Sequence, residues 1–184
     1  MSLAARPWAG DLLHFWFHEM RPEQRFARDD AVDAALRRRF ARWLDALRNR
    51  PASEFLSDPL TARAAILLFD QVPRNIHRDS PRAFAHDALA RAICRGMIAK
   101  GWDIGLGRAA RQFVYMPLQH SEKIADQRLS LKLFTALEDA FSLSFVRAHY
   151  RMIAQFGRFP HRNRVLGRRS SPAETRAVAA GNAW

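Results

Sequence analysis

Apolar residues recur along most of the chain at intervals of three and four, the spacing that places them on one face of an α-helix. In DDAVDAALRRRFARWLDALRNR they face arginines and aspartates on the opposite side of the helix. No Asn-Gly or Asp-Gly turn separates alternating runs, and β-branched residues are sparse. The pattern therefore predicts an all-α protein. The apolar stripe of this segment consists of Val32, Leu36, Phe40, Trp43, Leu44 and Leu47.

Three helix starts combine a capping residue with a proline at the first helical position: Asp58-Pro59, Ser80-Pro81 and Ser171-Pro172. Glu174 completes a capping box at the third of them. Together with the periodicity, these starts predict helices over residues 10–20, 29–49, 59–71, 81–99, 106–117, 122–139, 143–156 and 172–180.

The connections between these helices are short, which favours antiparallel packing of sequential helices. No repeat of fixed length is visible, so we expect an irregular stack of antiparallel helical hairpins rather than a regular solenoid. A length of 184 residues is typical of one domain with a sizeable core, and we expect a single domain over residues 1–184.

Composition places the chain among soluble proteins. Hydrophobic residues make up 48% and charged residues 26%, and no apolar run is long enough to span a membrane. At the N-terminus, Asp11, His14 and His18 interrupt the apolar residues, so no signal peptide is predicted. We therefore expect a cytoplasmic protein without a membrane partner. The single cysteine, Cys94, is interpreted as a small buried thiol rather than a reactive nucleophile.

The formal charge of +12 comes almost entirely from arginine and has two readings, an anionic partner or a biased composition. Glu174 is the single acidic residue between Arg147 and Arg176. RNA readers also need exposed aromatic residues, and Phe145, Tyr150 and Phe156 need not share one face. A solvated basic loop at NRVLGRRSS is therefore favoured over RNA binding.

Polar clusters follow three of the predicted helices. The third ends in LLFDQVPRNIHR, the fifth in FVYMPLQHSE and the seventh in AQFGRFPHRN. If the helices alternate in direction, these three ends emerge on one edge of the array. The candidate ligand-binding residues at this edge are Asp70, Gln71, Arg74, Asn75, His120, Glu122, Arg158, His161, Arg162 and Asn163.

The local chemistry at two of these ends can be predicted. AAILLF is apolar on every side, so it indicates a buried helix, which we expect to end at Gln71 because Pro73 disfavours the α conformation at Val72. Asp70 in its last turn opposes the helix dipole, and we expect it to have a cationic partner. Gly157 is expected to close the seventh helix in the left-handed conformation. The candidate partners of Asp70 are Arg74, Arg78, Arg158 and Arg162.

Two interpretations of the polar residues stay open. They form a closed network that satisfies helix ends, or part of the cluster binds a phosphate or carboxylate. In an enzyme, His161 or His120 would act as acid or base, oriented by Asp70 or Glu122. No nucleophile elbow, phosphate loop or cofactor motif is present, so enzymatic activity is left open and no cofactor is predicted.

The remaining histidines carry less information. His14 and His18 share one helical face, but a zinc site requires three or four ligands, so no metal site is predicted. His86 and His149 are interpreted as ordinary residues at the boundary of an amphipathic helix.

The ordered motifs FWF with Glu19, DQVPRN, AFAHD, FVYMPLQHSE, GRFPHRNRVLGR and SSPAE resemble a bacterial family catalogued as domain of unknown function 924. The resemblance runs from about residue 11 to about residue 180. Val72 replaces the usual phenylalanine, and Ser171 an expected threonine. The resemblance implies a tetratricopeptide-like helical fold, which would bind a peptide or protein through a concave groove. It carries over no activity and no catalytic residues, and the oligomeric state is left open.

Overall fold

The structure, a computed structural model, describes residues 6–182, so residues 1–5 of the N-terminal stretch analysed above lie outside it. The described residues form α-helices joined by short π- and 3₁₀-helical segments and contain no β-strand, which confirms the all-α prediction. No helix within residues 6–182 is long and apolar enough to cross a membrane. The α-helices are α1 Pro7–His14, α2 Asp30–Leu47, α3 Ala52–Phe55, α4 Pro59–Ile66, α5 Val72–Ile76, α6 Asp87–Ala99, α7 Arg108–Gln119, α8 Ile124–Thr135, α9 Ala140–Phe156 and α10 Pro172–Ala179.

The described chain divides into two compact units, which we call the first and the second unit. The first contains residues 6–78 and 82–106, and the second contains residues 79–81 and 107–182. In the first unit α4 packs against α1 and α6, and α2 packs against α5. In the second unit α8 packs against both α7 and α9, its neighbours in sequence.

The amphipathic pattern of α2 is confirmed by its burial. Val32, Leu36, Phe40 and Leu44 are buried, while Trp43 and Leu47 are half-buried at the edge of the stripe. The helix begins after Asp29, whose carboxylate accepts hydrogen bonds from the backbone N–H groups of residues 31 and 32. Both the start and the buried face of α2 thus follow from local sequence.

The prediction that the helix after Asp58 ends before Pro73 is wrong. A π-helical segment, Leu67–Gln71, joins α4 to α5, and Val72 keeps right-handed helical angles. The Val72 N–H donates to the carbonyl of Leu67, five residues earlier. This wider turn ends where α5 begins, so Pro73 lies in the first turn of α5, where a missing N–H costs little.

In the second unit, the predicted helix ends of α9 and α10 are confirmed. Gly157 closes α9 with a φ of 68°, and Ser171 and Glu174 form a capping box at the start of α10. Helix α7 runs through Pro117 to Gln119, although it was predicted to end at Pro117. Residues 113–119 are all buried, and this packing offsets a break that costs about 3 kcal/mol in an isolated helix.

The start predicted at Ser80-Pro81 is confirmed only in part. Pro81–Phe84 forms a 3₁₀ turn, and α6 begins at Asp87. Asp87, the first residue of α6, binds Arg74 of α5.

Candidate functional site

The ten candidate site residues are distributed over the two units, with four in the first and six in the second. The expectation that all three helix ends share one edge stays a prediction. Each set is described within its own unit. The first-unit set is Asp70, Gln71, Arg74 and Asn75, and the second-unit set is His120, Glu122, Arg158, His161, Arg162 and Asn163.

Asp70 lies on the π-helical segment and is completely buried, with 0% exposure. The Gln71 side chain donates to its Oδ2 at 2.5 Å, and Nη1 of Arg74 lies 3.3 Å from its Oδ1. A cationic partner for Asp70 was predicted, and Arg74, one turn further along the helix, fills that role.

Arg74 has a second carboxylate partner that the sequence did not reveal. Its Nη1 and Nη2 donate to the two oxygens of Asp87 at 2.8 and 3.0 Å. Burial works against the charged guanidinium, but the charges of Asp70 and Asp87 raise the pKa of Arg74 above its usual value. One arginine thus links the π-helical segment to the start of α6.

Arg78, another candidate partner of Asp70, binds Asp33 on α2 instead. Its Nε and Nη2 donate to the two Asp33 oxygens at 2.5 and 2.9 Å, and Nη2 also donates to Oδ1 of Asn75 at 2.9 Å. The amide of Asn75 in turn donates to the carbonyl of Gln71. The guanidinium groups of Arg74 and Arg78 are thus both bound to carboxylates within the first unit, as a closed network requires.

In the second unit, Glu122 and Arg168 hold the backbone of Phe159 between them. Arg168 Nη1 and Nη2 donate to the two Glu122 oxygens at 2.8 and 2.9 Å. The Phe159 N–H donates to Glu122 at 2.8 Å, and its carbonyl accepts from Arg168 at 3.1 Å. Burial alone would raise the pKa of Glu122, but the bonds from Arg168 and Phe159 lower it.

Arg158 binds another carboxylate of the same unit, that of Glu174. Its Nε and Nη2 donate to the two oxygens of Glu174 at 2.6 and 3.0 Å. These bonds, with the capping bond from the Ser171 N–H, lower the pKa of Glu174 to about 2. Asn163, fully buried, donates to Ser170 at 3.1 Å. Arg158 and Asn163 therefore hold the loop that precedes α10.

Two other residues of the second-unit set, His161 and Arg162, contact the buried ring of Phe159 together with His149. The ring centroids of His149 and His161 lie 5.3 and 5.6 Å from it, and the guanidinium carbon of Arg162 lies 4.4 Å above it. The His120 ring lies 6.4 Å from that of His149. We call these five residues the Phe159 cluster.

Burial and positive charge keep two histidines of the Phe159 cluster, His149 and His161, neutral. Burial, reinforced by His120 and Arg162, lowers the pKa of His149 to about 3. Burial and the charge of Arg162 lower the pKa of His161 to about 4, although Glu122 opposes the shift. Nδ1 of His149 lies 2.8 Å from the carbonyl of Phe145, which can only accept, so this nitrogen carries the proton at neutral pH.

Two residues of this site were misjudged from the sequence. His149 was interpreted as an ordinary boundary residue, but it is buried at 4% exposure. It continues a buried stripe of α9 through Ser142 and Val146 at helical spacing, a signal that could have identified it. Arg168 was assigned to a solvated basic loop, whereas it is half-buried against Glu122.

Two sequence interpretations outside these clusters can be compared with the structure. Cys94 is buried, as predicted. His14 and His18 stack with ring centroids 5.4 Å apart on the first unit. Within the described part of the chain, no group of three His, Cys, Asp or Glu side chains is arranged to hold a metal ion.

Comparison with known proteins adds a family and one solved structure. The model of a family described as bacterial protein of unknown function (DUF924) matches residues 12–182. A protein of unknown function from Agrobacterium tumefaciens, ATU0120, is 32% identical, and the alignment covers 95% of this chain and 98% of that chain with a TM-score of 0.89. No curated protein matches.

Proposed function

Because the chain belongs to DUF924, a family described only as bacterial proteins of unknown function, we propose its function from the site itself: a module that binds a small anion, phosphate or carboxylate, at the Phe159 cluster. The observation that carries the proposal is the convergence of the His149 and His161 imidazoles and the Arg162 guanidinium around one buried ring, with the His120 imidazole beside His149. Guanidinium and imidazole N–H groups are the usual donors to phosphate and carboxylate oxygens.

The charges around the cluster favour an anion over a cation. Arg162 and Arg168 both lower the pKa of His161, and Glu122 is the carboxylate that raises it. Both oxygens of Glu122 are already bonded to Arg168 and to the Phe159 N–H. An anion entering the cluster would gain from a positive potential that Glu122 only partly offsets.

The protonation state of the histidines suits an adaptable anion receptor. At pH 7 the imidazoles of His149 and His161 are neutral, since their pKa values are about 3 and about 4. A bound anion would raise these pKa values, so that an imidazole could take up a proton and strengthen its hydrogen bond. The same chemistry would serve an acid–base catalyst, which is why the enzyme prediction stays part of this proposal.

Isothermal titration of the purified protein with inorganic phosphate and with acetate tests the proposal. We expect Arg162→Ala to weaken binding of the preferred anion at least about tenfold, because a hydrogen bond to a charged group contributes roughly 1.5–3 kcal/mol. Arg164→Ala is the matched control, since Arg164 lies two residues away with 82% of its side chain exposed. It should bind like the wild type.

Since Arg162 is only 6% exposed, its removal could unfold the protein. Arg162→Lys keeps the charge and loses the planar fork, and circular dichroism establishes that each variant is folded. Equal affinity of wild type and a folded Arg162 variant for both anions would refute the site. Absence of any titratable heat or thermal shift with either anion would refute it for this ligand class.

A peptide or protein partner is the second candidate, in keeping with the tetratricopeptide-like fold that the family resemblance implies. It is favoured by an exposed aromatic pair on α9: Phe141 and Phe145 are 70% and 37% exposed, and their rings meet edge to face at 5.0 Å. Exposed aromatic anchors are characteristic of protein-binding surfaces.

Peptide selection can test this second candidate without a known partner. Peptides selected from a random library against the wild type should lose at least about tenfold in affinity for the Phe141→Ser, Phe145→Ser double variant. Ile104→Ser is the control, because Ile104 is 75% exposed but belongs to the first unit. Selected peptides that bind the double variant as tightly as the wild type would exclude the aromatic pair.

A further inference from the structure

A second group of cations, in the first unit, surrounds the ring of Phe17. The guanidinium carbon of Arg25 lies 5.4 Å from the centroid of this ring, and that of Arg63 lies 5.8 Å from it. Phe17 belongs to the π-helical segment Phe15–Glu19, and Arg63 lies on α4. We call Phe17, Arg25 and Arg63 the Phe17 cluster.

Arg25 is fixed by backbone carbonyls rather than by a carboxylate. Its Nε donates to the carbonyl of Trp16 at 2.9 Å, and Nη2 donates to those of Phe17 and Met20 at 3.1 and 3.2 Å. Trp16 and Phe17 belong to the π-helical segment, and Met20 directly follows it. Within residues 6–182, Nη1 of Arg25 makes no hydrogen bond, so the fixed guanidinium retains one N–H edge for a ligand.

Arg63 carries a charge that no described group balances. It is half-buried, and burial lowers its pKa below the usual value. Among the described residues it forms neither a hydrogen bond nor an ion pair, and its guanidinium contacts the ring of Phe17. A desolvated charge is normally paired, because partial burial costs free energy that a counter-ion restores.

Other half-buried arginines of the first unit show what such pairing looks like. Arg39 binds Asp11 and Glu19, Arg74 binds Asp70 and Asp87, and Arg78 binds Asp33. Arg63 differs from all three in having no carboxylate. The π-helical geometry of the adjacent segment is a second unusual feature, since π segments are rare and frequently occur at functional sites.

We propose that the Phe17 cluster is a binding site for a small oxyanion, a carboxylate or a phosphate, with the Arg63 guanidinium as its anchor and Nη1 of Arg25 as a second donor. Phe17 holds both guanidinium groups by cation–π contact and supplies an apolar wall beside the anion. The site is independent of the Phe159 cluster, because its residues all belong to the first unit.

The test uses the full chain and inorganic phosphate or acetate, at constant ionic strength maintained with chloride. In ¹H–¹⁵N spectra of the arginine Nε–H groups, the Arg63 signal, assigned by its loss in Arg63→Lys, should shift saturably with anion concentration. In calorimetric titrations, Arg63→Gln should weaken one binding step at least tenfold, and Arg25→Gln should weaken the same step. Arg38→Gln is the matched control, because Arg38 is an exposed arginine of the same unit.

The outcomes separate this site from the Phe159 cluster. Loss of a step in Arg63→Gln that is retained in Arg162→Lys supports the Phe17 cluster, whatever the fate of the other site. Unchanged binding in a folded Arg63→Gln variant overturns the proposal. A wild-type Arg63 signal that does not shift with either anion also overturns it, and this readout requires no variant to be stable beyond the one used for assignment.

Discussion

Replacing Arg74 with methionine is expected to lower the free energy of unfolding by about 3 to 5 kcal/mol, the range for breaking a buried ion pair by removing one partner. Methionine retains much of the apolar stem but removes the charge that lies between Asp70 and Asp87. Asp70 is 0% exposed, so its carboxylate would remain in the interior without the positive charge of Arg74 beside it. Urea denaturation monitored by circular dichroism measures the loss.

Two further variants show whether the buried charge is the cause. Arg38→Met removes an exposed arginine of the same unit and should change stability by less than about 0.5 kcal/mol. Adding Asp70→Asn to Arg74→Met should recover part of the loss, because a neutral amide does not require a counter-ion. A loss below about 1 kcal/mol in Arg74→Met would show that the network contributes little, as exposed ion pairs do.

Helices whose signals are local were predictable from the sequence. The Asp29 cap and apolar stripe of α2, the Asp58 cap of α4 and the capping box of α10 all occur where the pattern placed them. Gly157 ends α9 because a residue without Cβ adopts a φ of 68° at little cost. Each of these features depends on residues within one helical turn of one another, so sequence spacing determines it.

The failures occurred where tertiary contacts override a local rule. Proline after Val72 normally ends a helix, but a π turn lets the chain stay helical and carries Asp70 into the interior. Pro117 is likewise retained within a fully buried stretch of α7. Helix propensity predicts neither the π turn before Val72 nor the packing around Pro117, because both depend on neighbours that are distant in sequence.

Among the candidate site residues, too, contacts between residues close in sequence were predictable and contacts between distant residues were not. The pair of Asp70 and Arg74 was predictable because the two residues are four apart on one helix. The partners Asp87 and Arg168 were not, since they lie 13 and 46 residues from the groups they bind. Burial of His149, in contrast, could have been inferred from the helical spacing that it shares with Val146. Sequence thus named most residues of the site but not which of them are already paired.

Stability is expected to fall as the pH drops from 8 to 5, because His149 and His161 of the Phe159 cluster resist protonation in the folded state. The pKa values of His149 and His161 are lowered from 6.5 to about 3 and about 4. Below pH 6.5 the unfolded chain therefore binds more protons than the folded one, and stability decreases with falling pH. Below pH 6.5, each of the two histidines lowers the free energy of unfolding by about 1.4 kcal/mol per pH unit. At pH 5 the loss is about 2 kcal/mol for each histidine.

His149→Gln isolates the larger of these two contributions. Glutamine keeps a polar group beside the Phe145 carbonyl and does not titrate. Between pH 6.5 and pH 5, the number of protons taken up on unfolding should therefore fall by about one, which makes the unfolding free energy depend less steeply on pH. Burial also lowers the pKa of His77 and His86, which add to the wild-type slope but cancel in the comparison.

The chosen pH window separates the histidines from the carboxylates. Hydrogen bonds lower the pKa of Glu122 and Glu174 below 4.5, so their contribution to stability is present above that pH and is lost only as the pH falls further. Above pH 5 the histidine term therefore dominates. An identical slope in wild type and His149→Gln would mean that His149 is hydrated and protonates as readily as in the unfolded chain. The Phe159 cluster would then be open to water at His149, and the neutral imidazole assumed for anion binding would not exist.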